Sequence, residues 1–161
     1  MKSKVYIETT IISYLTAWRS PQLVMAANQE MTRGWWDAER HNFDLYVSEA
    51  VIQEVSAGDP AAAQRRLEAI QEFSALPITE EARQLAKQLI DNTPLPEKAS
   101  IDAVHIATAT VNGMDYLLTW NCRHIANATL RNSMGEICQS AGYVMPIICT
   151  PLELIAESRN D

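Results

Sequence analysis

The sequence predicts an α/β fold, with a central, mostly parallel sheet of about five short strands and helices on both faces. Two observations carry that expectation. Short apolar runs alternate with longer stretches of helix formers, the pattern that strand–helix–strand units leave in a chain. In addition, 161 residues, 47% hydrophobic and 20% charged, suffice for one well-buried core and are too few for two ordinary domains, so residues 1–161 are read as a single domain.

Val5-Tyr6-Ile7 reads as a short buried strand, with a helix opening at Thr9-Thr10 directly after Glu8. The stretch from Pro21 to about Arg40 is rich in helix formers, and Leu23, Met25, Met31, Trp35 and Trp36 give it an apolar face, so one or two helices are expected. Phe43 to Val47 alternates as a second strand, after which Ser48 caps a helix that carries Glu54. Pro60 opens the next helix, towards Phe73, at a first-turn position where proline is tolerated. Thr79-Glu80-Glu81 starts another, with Leu85, Leu89 and Ile90 turned inward. Thr93-Pro94-Leu95-Pro96 must break it, since proline disfavours helix at its own position and at the one before. A helix then spans about Ala99 to Asn112, and Tyr116 to Thr119 is a third strand. His124 to Ala141 reads as a helix stopped by Gly142, and Ile147-Ile148-Cys149 as a last strand closed by Pro151.

Chain direction brings four polar residues together. Glu8 ends the first strand, Glu54 rides the helix after the second, and Asn121 lies just past the third. Helices of such units run antiparallel to the strands, so Asp102, in the first turns of its helix, lies beside the same strand ends. Open parallel sheets bind ligands outside those ends. Oxygen ligands of this kind suit Mg²⁺ or Mn²⁺, which leave coordination positions to water and to a substrate phosphate.

Several other chemistries lack their parts. Glu8 to Ile12 contains no glycine, so no phosphate-cradling loop follows the first strand and no nucleotide cofactor is expected. Cys122 and His124 are the only close pair of zinc-type ligands. An aspartyl phosphatase would need Asp where Glu8 stands. Cys122, Cys138 and Cys149 are odd in number and widely spaced, which favours reduced thiols. The net charge of −7 excludes a surface that is basic throughout, although a bound cation would reverse the sign of the pocket locally. No apolar run reaches membrane-spanning length and Met1-Lys2-Ser3-Lys4 enters a strand, so the expected compartment is the cytoplasm, with no membrane partner.

Val5 to Leu15, Ser48 with Glu54, Asp102-Ala103-Val104-His105-Ile106-Ala107-Thr108-Ala109, and Leu117-Leu118-Thr119-Trp120-Asn121 resemble, in order, the successive motifs of a PIN domain. The resemblance spans nearly the whole chain. It implies a PIN-like α/β/α sandwich and a metal-dependent endoribonuclease, a hydrolase of RNA phosphodiester bonds. Bacterial single-domain members of this size are commonly the VapC-like toxins of type II toxin–antitoxin pairs, so the resemblance further implies an RNA substrate and a cognate antitoxin protein. By the same resemblance Glu8, Glu54 and Asp102 are the metal ligands, and Asn121 completes the catalytic set. Thr9 and Thr119 match supporting hydroxyl positions. Glu8 is the one departure, because the family usually has Asp there.

Lys98, Arg123 and His124 fall near the crevice as candidate RNA-phosphate contacts, and Trp120 or Tyr14 as a base-stacking ring. His105, three residues after Asp102, is read as a hydrogen-bonded core histidine and left out of the metal set. Trp18, Trp35 and Trp36 are read as core or interface, and a homodimer face or an antitoxin groove is expected in their segment. Two competing functions remain: a catalytically weakened PIN-fold module that acts by binding RNA or protein, and a flap-type DNA nuclease, for whose DNA-gripping elements the chain has no room.

Overall fold

The computed structural model describes residues 1–157 and contains a five-stranded sheet, all parallel, in the order β3-β2-β1-β4-β5. The strands are β1 (Lys4–Ile7), β2 (Asp44–Ser48), β3 (Ser74–Leu76), β4 (Tyr116–Leu118) and β5 (Ile147–Cys149). The helices are α1 (Thr9–Thr16), α2 (Leu23–Ala38), α3 (Glu49–Val55), α4 (Pro60–Ile70), α5 (Glu80–Asn92), α6 (Ser100–Val111) and α7 (Ala128–Ser140). α1 packs on α2, α3 and α4, whereas α5 packs on α6 and α7, which gives one helical layer on each face of the sheet. No helix among the described residues is long and apolar enough to cross a membrane.

β1 lies at the centre, and Val5, Tyr6 and Ile7 are fully buried. A strand covered on both faces cannot alternate polar with apolar residues, which is why this one reads as an unbroken apolar run. The register Val5↔Leu45 and Val5↔Tyr116 fixes β2 and β4 on either side of it. α6 is likewise buried nearly all round, through Ala103 and His105 to Thr110.

Three local readings are refined. Pro21 to Arg40 holds one helix, α2, followed by a single 3₁₀ turn at Arg40–Asn42. β3 was not among the strands read from the sequence. Its residues are Ser74, Ala75 and Leu76, with no alternation to mark them, and pairing with Tyr46, Val47 and Ser48 makes the strand. α7 starts at Ala128 instead of His124, because Asn121 gathers the preceding residues into a turn. Its Oδ1 accepts from the His124 amide at 3.0 Å and its carbonyl from the Ala126 amide at 2.8 Å, after which Asn127 caps the helix. Gly142, at φ 90°, ends it in the left-handed region that glycine tolerates.

The tryptophans divide. Trp35 and Trp36 are core, with Trp35 Nε1 donating to the Leu154 carbonyl at 2.7 Å, while Trp18 is 81% exposed under the Arg65 guanidinium. Cys138 and Cys149 are buried free thiols and Cys122 is exposed. Burial pushes the Cys149 thiol up to about 12, which makes it inert packing.

Candidate metal centre

Glu8 stands where β1 gives way to α1 and serves as the cap of that helix. Its Oε2 accepts from the Thr10 amide at 3.2 Å, and its Oε1 accepts from Thr10 Oγ1 at 2.5 Å and from Thr119 Oγ1 at 2.6 Å. The side chain is only 3% exposed. Burial pushes its carboxyl above the usual carboxylate range, against the opposing pull of His105 and the threonine donors.

Glu54 lies near the C-terminal end of α3, whose N-terminus is fixed by Ser48: the Ser48 Oγ accepts from the Val51 amide at 3.3 Å. Seven residues make under two turns, which carries Glu54 from the end of β2 back over the end of β1. There its Oε1 accepts from Thr9 Oγ1 at 2.7 Å and meets His105 Nε2 at 2.5 Å. Burial raises this carboxyl, but the His105 contact and the Thr9 hydroxyl outweigh it, and the group is held below its ordinary value.

Asp102 sits in the first turn of α6. Its Oδ1 accepts from Asn121 Nδ2 at 3.0 Å, and its Oδ2 lies 3.0 Å from His124 Nδ1. Thr119 links this group to Glu8, since its hydroxyl donates to Glu8 and accepts from the Asn121 amide at 2.9 Å.

All four candidates from the sequence therefore lie along one edge of the sheet, at the C-terminal ends of the strands. Donor atoms of Glu8, Glu54 and His105 come within 4.8 Å of one another, close enough to share an ion. Asp102 is tied to the neighbouring Asn121 and His124. Among the candidate phosphate contacts, His124 is engaged with Asp102, whereas Lys98 and Arg123 are exposed. Tyr14 and Trp120 stack on each other at 6.0 Å, and the Trp120 amide donates to Thr10 Oγ1 at 2.8 Å, so this aromatic pair adjoins Glu8.

The roles of Thr10 and of the Tyr6 hydroxyl were not read from the sequence, whereas His105 was read as a hydrogen-bonded core histidine and Ser48 as a helix cap. Thr10 both donates to Glu8 and receives Trp120. His105 is 1% exposed and touches Glu54, and Tyr6 Oη lies 2.6 Å from His105 Nδ1 and 2.7 Å from Ser48 Oγ. A tyrosine inside an otherwise apolar central strand is a readable signal, because a buried phenol must find a polar partner. For His105 the signal is its position one helical turn after Asp102.

The oxygen-rich donor set fits a hard divalent cation better than a soft one. A cavity of about 520 Å³ opens at the opposite end of the strands, between Lys2, Arg40, His41, Asp44 and Glu72, and is lined by none of Glu8, Glu54 and Asp102.

A family model described as PIN domain matches residues 5–127. Among solved structures, a toxin–antitoxin complex from Klebsiella pneumoniae aligns with a TM-score of 0.62 at 19% identity, covering 93% of this chain and 99% of that one. Mycobacterium tuberculosis VapC20, a sarcin–ricin loop cleaving toxin, aligns at 0.58 and 13% identity over 87% of this chain and 96% of its own. VapBC2 from Rickettsia felis, bound to a DNA fragment from its promoter, aligns at 0.57 and 13% over 91% and 98%. At these identities the likeness speaks for the fold. No curated protein matches the chain.

Proposed function

This chain belongs to the PIN-domain family, and on that premise we propose that it is a metal-dependent endoribonuclease, the toxin of a type II toxin–antitoxin pair. The observation that carries the reading is the convergence of Glu8, Glu54, Asp102 and Asn121 on one edge of the sheet, each tied to a neighbour that fixes its direction. Glu8, Glu54 and Asp102 would hold Mg²⁺ or Mn²⁺, with Asn121 orienting Asp102. The ion, when bound, supplies a water nucleophile at neutral pH and neutralises charge on the scissile phosphate. The chain's own part is orientation. Thr9 and Thr119 aim the two glutamates, Asn121 and His124 aim Asp102, and the stacked Tyr14–Trp120 pair walls the approach beside Glu8. Exposed Lys98 and Arg123 provide charge for RNA phosphates in an otherwise acidic protein.

The partners on this reading are RNA, a cognate antitoxin and a second copy of the chain, and the work is cytoplasmic. Two structural neighbours, the Klebsiella toxin–antitoxin complex and VapBC2, support an antitoxin partner. An antitoxin that inhibits at the crevice should place a Lys or Arg among the carboxylates. A complex whose partner leaves the crevice open would sink that inhibition model.

The test is cleavage of RNA by purified protein with Mg²⁺, Mn²⁺ or chelator. Metal-stimulated cleavage that disappears in a folded Asp102→Ala protein is the expected result, and undiminished cleavage by that variant overturns the mechanism. One observation favours a second reading, a weakened module that binds without turnover: both Glu8 oxygens already accept protein donors in a buried setting that favours the proton. RNA binding without cleavage in the same assay selects it.

A further inference from the structure

His105 belongs to a buried line of polar groups that crosses the fold. Ser48 Oγ, Tyr6 Oη, His105 Nδ1, His105 Nε2 and Glu54 Oε1 follow one another at 2.7, 2.6 and 2.5 Å across the three contacts. Ser48, Tyr6 and His105 are at most 1% exposed, so water cannot substitute for a missing partner.

Hydrogen-bond accounting fixes the protons. An ionised carboxylate accepts only, so His105 Nε2 must carry a hydrogen and donate it to Glu54. In the neutral ring Nδ1 is then bare and accepts from the Tyr6 hydroxyl. Tyr6 Oη in turn accepts from the Ser48 hydroxyl, and Ser48 Oγ accepts from the Val51 amide. Every hydroxyl and ring nitrogen in the line has a partner under this one assignment.

The assignment also settles what His105 does beside an ion. Its ring nitrogen lies within the cluster of donor atoms, which suggests a ligand. Ligation, however, would require Nε2 to lose its hydrogen, Glu54 to turn away, and Tyr6 to reverse its bond. The bond to Glu54 decides against it. Glu54 Oε1 takes two donors, from His105 and Thr9, while Oε2 accepts from no side chain or amide among the described residues.

We propose that His105 is a positioning residue for Glu54: held as the Nε2–H tautomer by Tyr6 and Ser48, it pins Oε1 and leaves Oε2 as the oxygen that meets the cation. This rests on the metal-site reading above. It adds a partner behind the ligand that fixes the orientation of the carboxylate, as outer partners of metal ligands do.

Three measurements on the full chain test it. Long-range ¹⁵N–¹H spectra of the metal-free protein should show His105 as the Nε2–H tautomer, the form that donates to Glu54; an Nδ1–H ring in the wild type overturns the proposal. Calorimetric Mn²⁺ titration should give roughly a 10- to 100-fold weaker affinity for His105→Leu, with most of it restored by His105→Gln, whose amide keeps a hydrogen for Glu54. Unchanged affinity in His105→Leu overturns the proposal. Pulsed EPR of the Mn²⁺-loaded wild type should lack the ¹⁴N coupling of a directly bound imidazole, and its presence would make His105 a ligand instead. If the tautomer is as stated but the wild type takes up no Mn²⁺, the metal reading falls while the hydrogen-bonded line stands.

Discussion

The Glu8–Glu54 half of the crevice is held by contacts spanning 45, 51 and 111 residues of sequence, to Thr9, His105 and Thr119, of which His105 and Thr119 are buried. The Asp102 half is held across 19 and 22 residues, by Asn121 and His124, and both partners reach solvent. The first half is set by the packing of the sheet and α6. The second is set by the local turn that follows β4. The two halves therefore differ in how far along the chain their partners lie and in how deeply those partners are buried.

The largest expected effect separates the halves by stability. Both Glu54→Ala and Asp102→Ala should reduce metal-stimulated RNA cleavage by more than the roughly 100-fold that loss of an outer partner costs. Glu54→Ala also strands a buried His105 N–H, which costs about 1–3 kcal/mol. Asp102→Ala frees groups that water can satisfy, so its folding stability should stay within about 0.5 kcal/mol of the parent. Urea unfolding of both variants checks the contrast, and equal stabilities would dissolve it.

Next comes Glu8→Asp. The Glu8 carboxylate reaches Thr119 across the β1–β4 pair and Thr10 on its own helix, contacts matched to the longer side chain. Shortening it by one methylene should lower Mn²⁺ affinity or cleavage rate by about tenfold. A clear gain in rate would mean that the native Glu weakens the site.

The pH dependence of metal uptake should also report on Glu8. Burial raises its carboxyl above the ordinary value, so the proton competes with the cation. Affinity is then full above that raised value and falls as pH drops through it, with up to one proton released per ion bound. Titrations in buffers of different ionisation enthalpy read the release directly. The Glu54 carboxyl, held below its ordinary value, should contribute to this competition only at lower pH.

The smallest effect contrasts two hydroxyls. Thr119→Val removes a buried donor to Glu8 and the acceptor of the Asn121 amide, and should cost about 1–3 kcal/mol. Thr9→Val, on the more open face of Glu54, should change stability by less than about 0.5 kcal/mol. Thermal melts of the pair would show whether burial of the partner sets the difference.

The placement of the four candidates was legible, because strand direction puts Glu8, Glu54, Asp102 and Asn121 at one edge. What holds them was not. Thr119 meets Glu8 only through the β1–β4 register, and His105 meets Tyr6 only once α6 lies against β1; neither distance is encoded in local pattern. β3 escaped for a related reason, since Ser74-Ala75-Leu76 is a strand by virtue of its neighbour. The start of α7 was misplaced because Asn121 bonds to the residues after it, a local competition between side chain and backbone that helix periodicity does not reveal.

The pairing of β1 with β4, Ile7 opposite Leu118, bears on how the protein is made. Translation delivers the amino-terminal end first, and domains fold in the order they emerge. Glu8 and Glu54 leave the ribosome early, but their holders His105 and Thr119, and the third carboxylate Asp102, follow only after most of the chain has been synthesised. Until β4 inserts beside β1, the nascent chain has no assembled crevice. On the proposed reading, metal-dependent cleavage cannot begin before β4 has emerged and paired with β1.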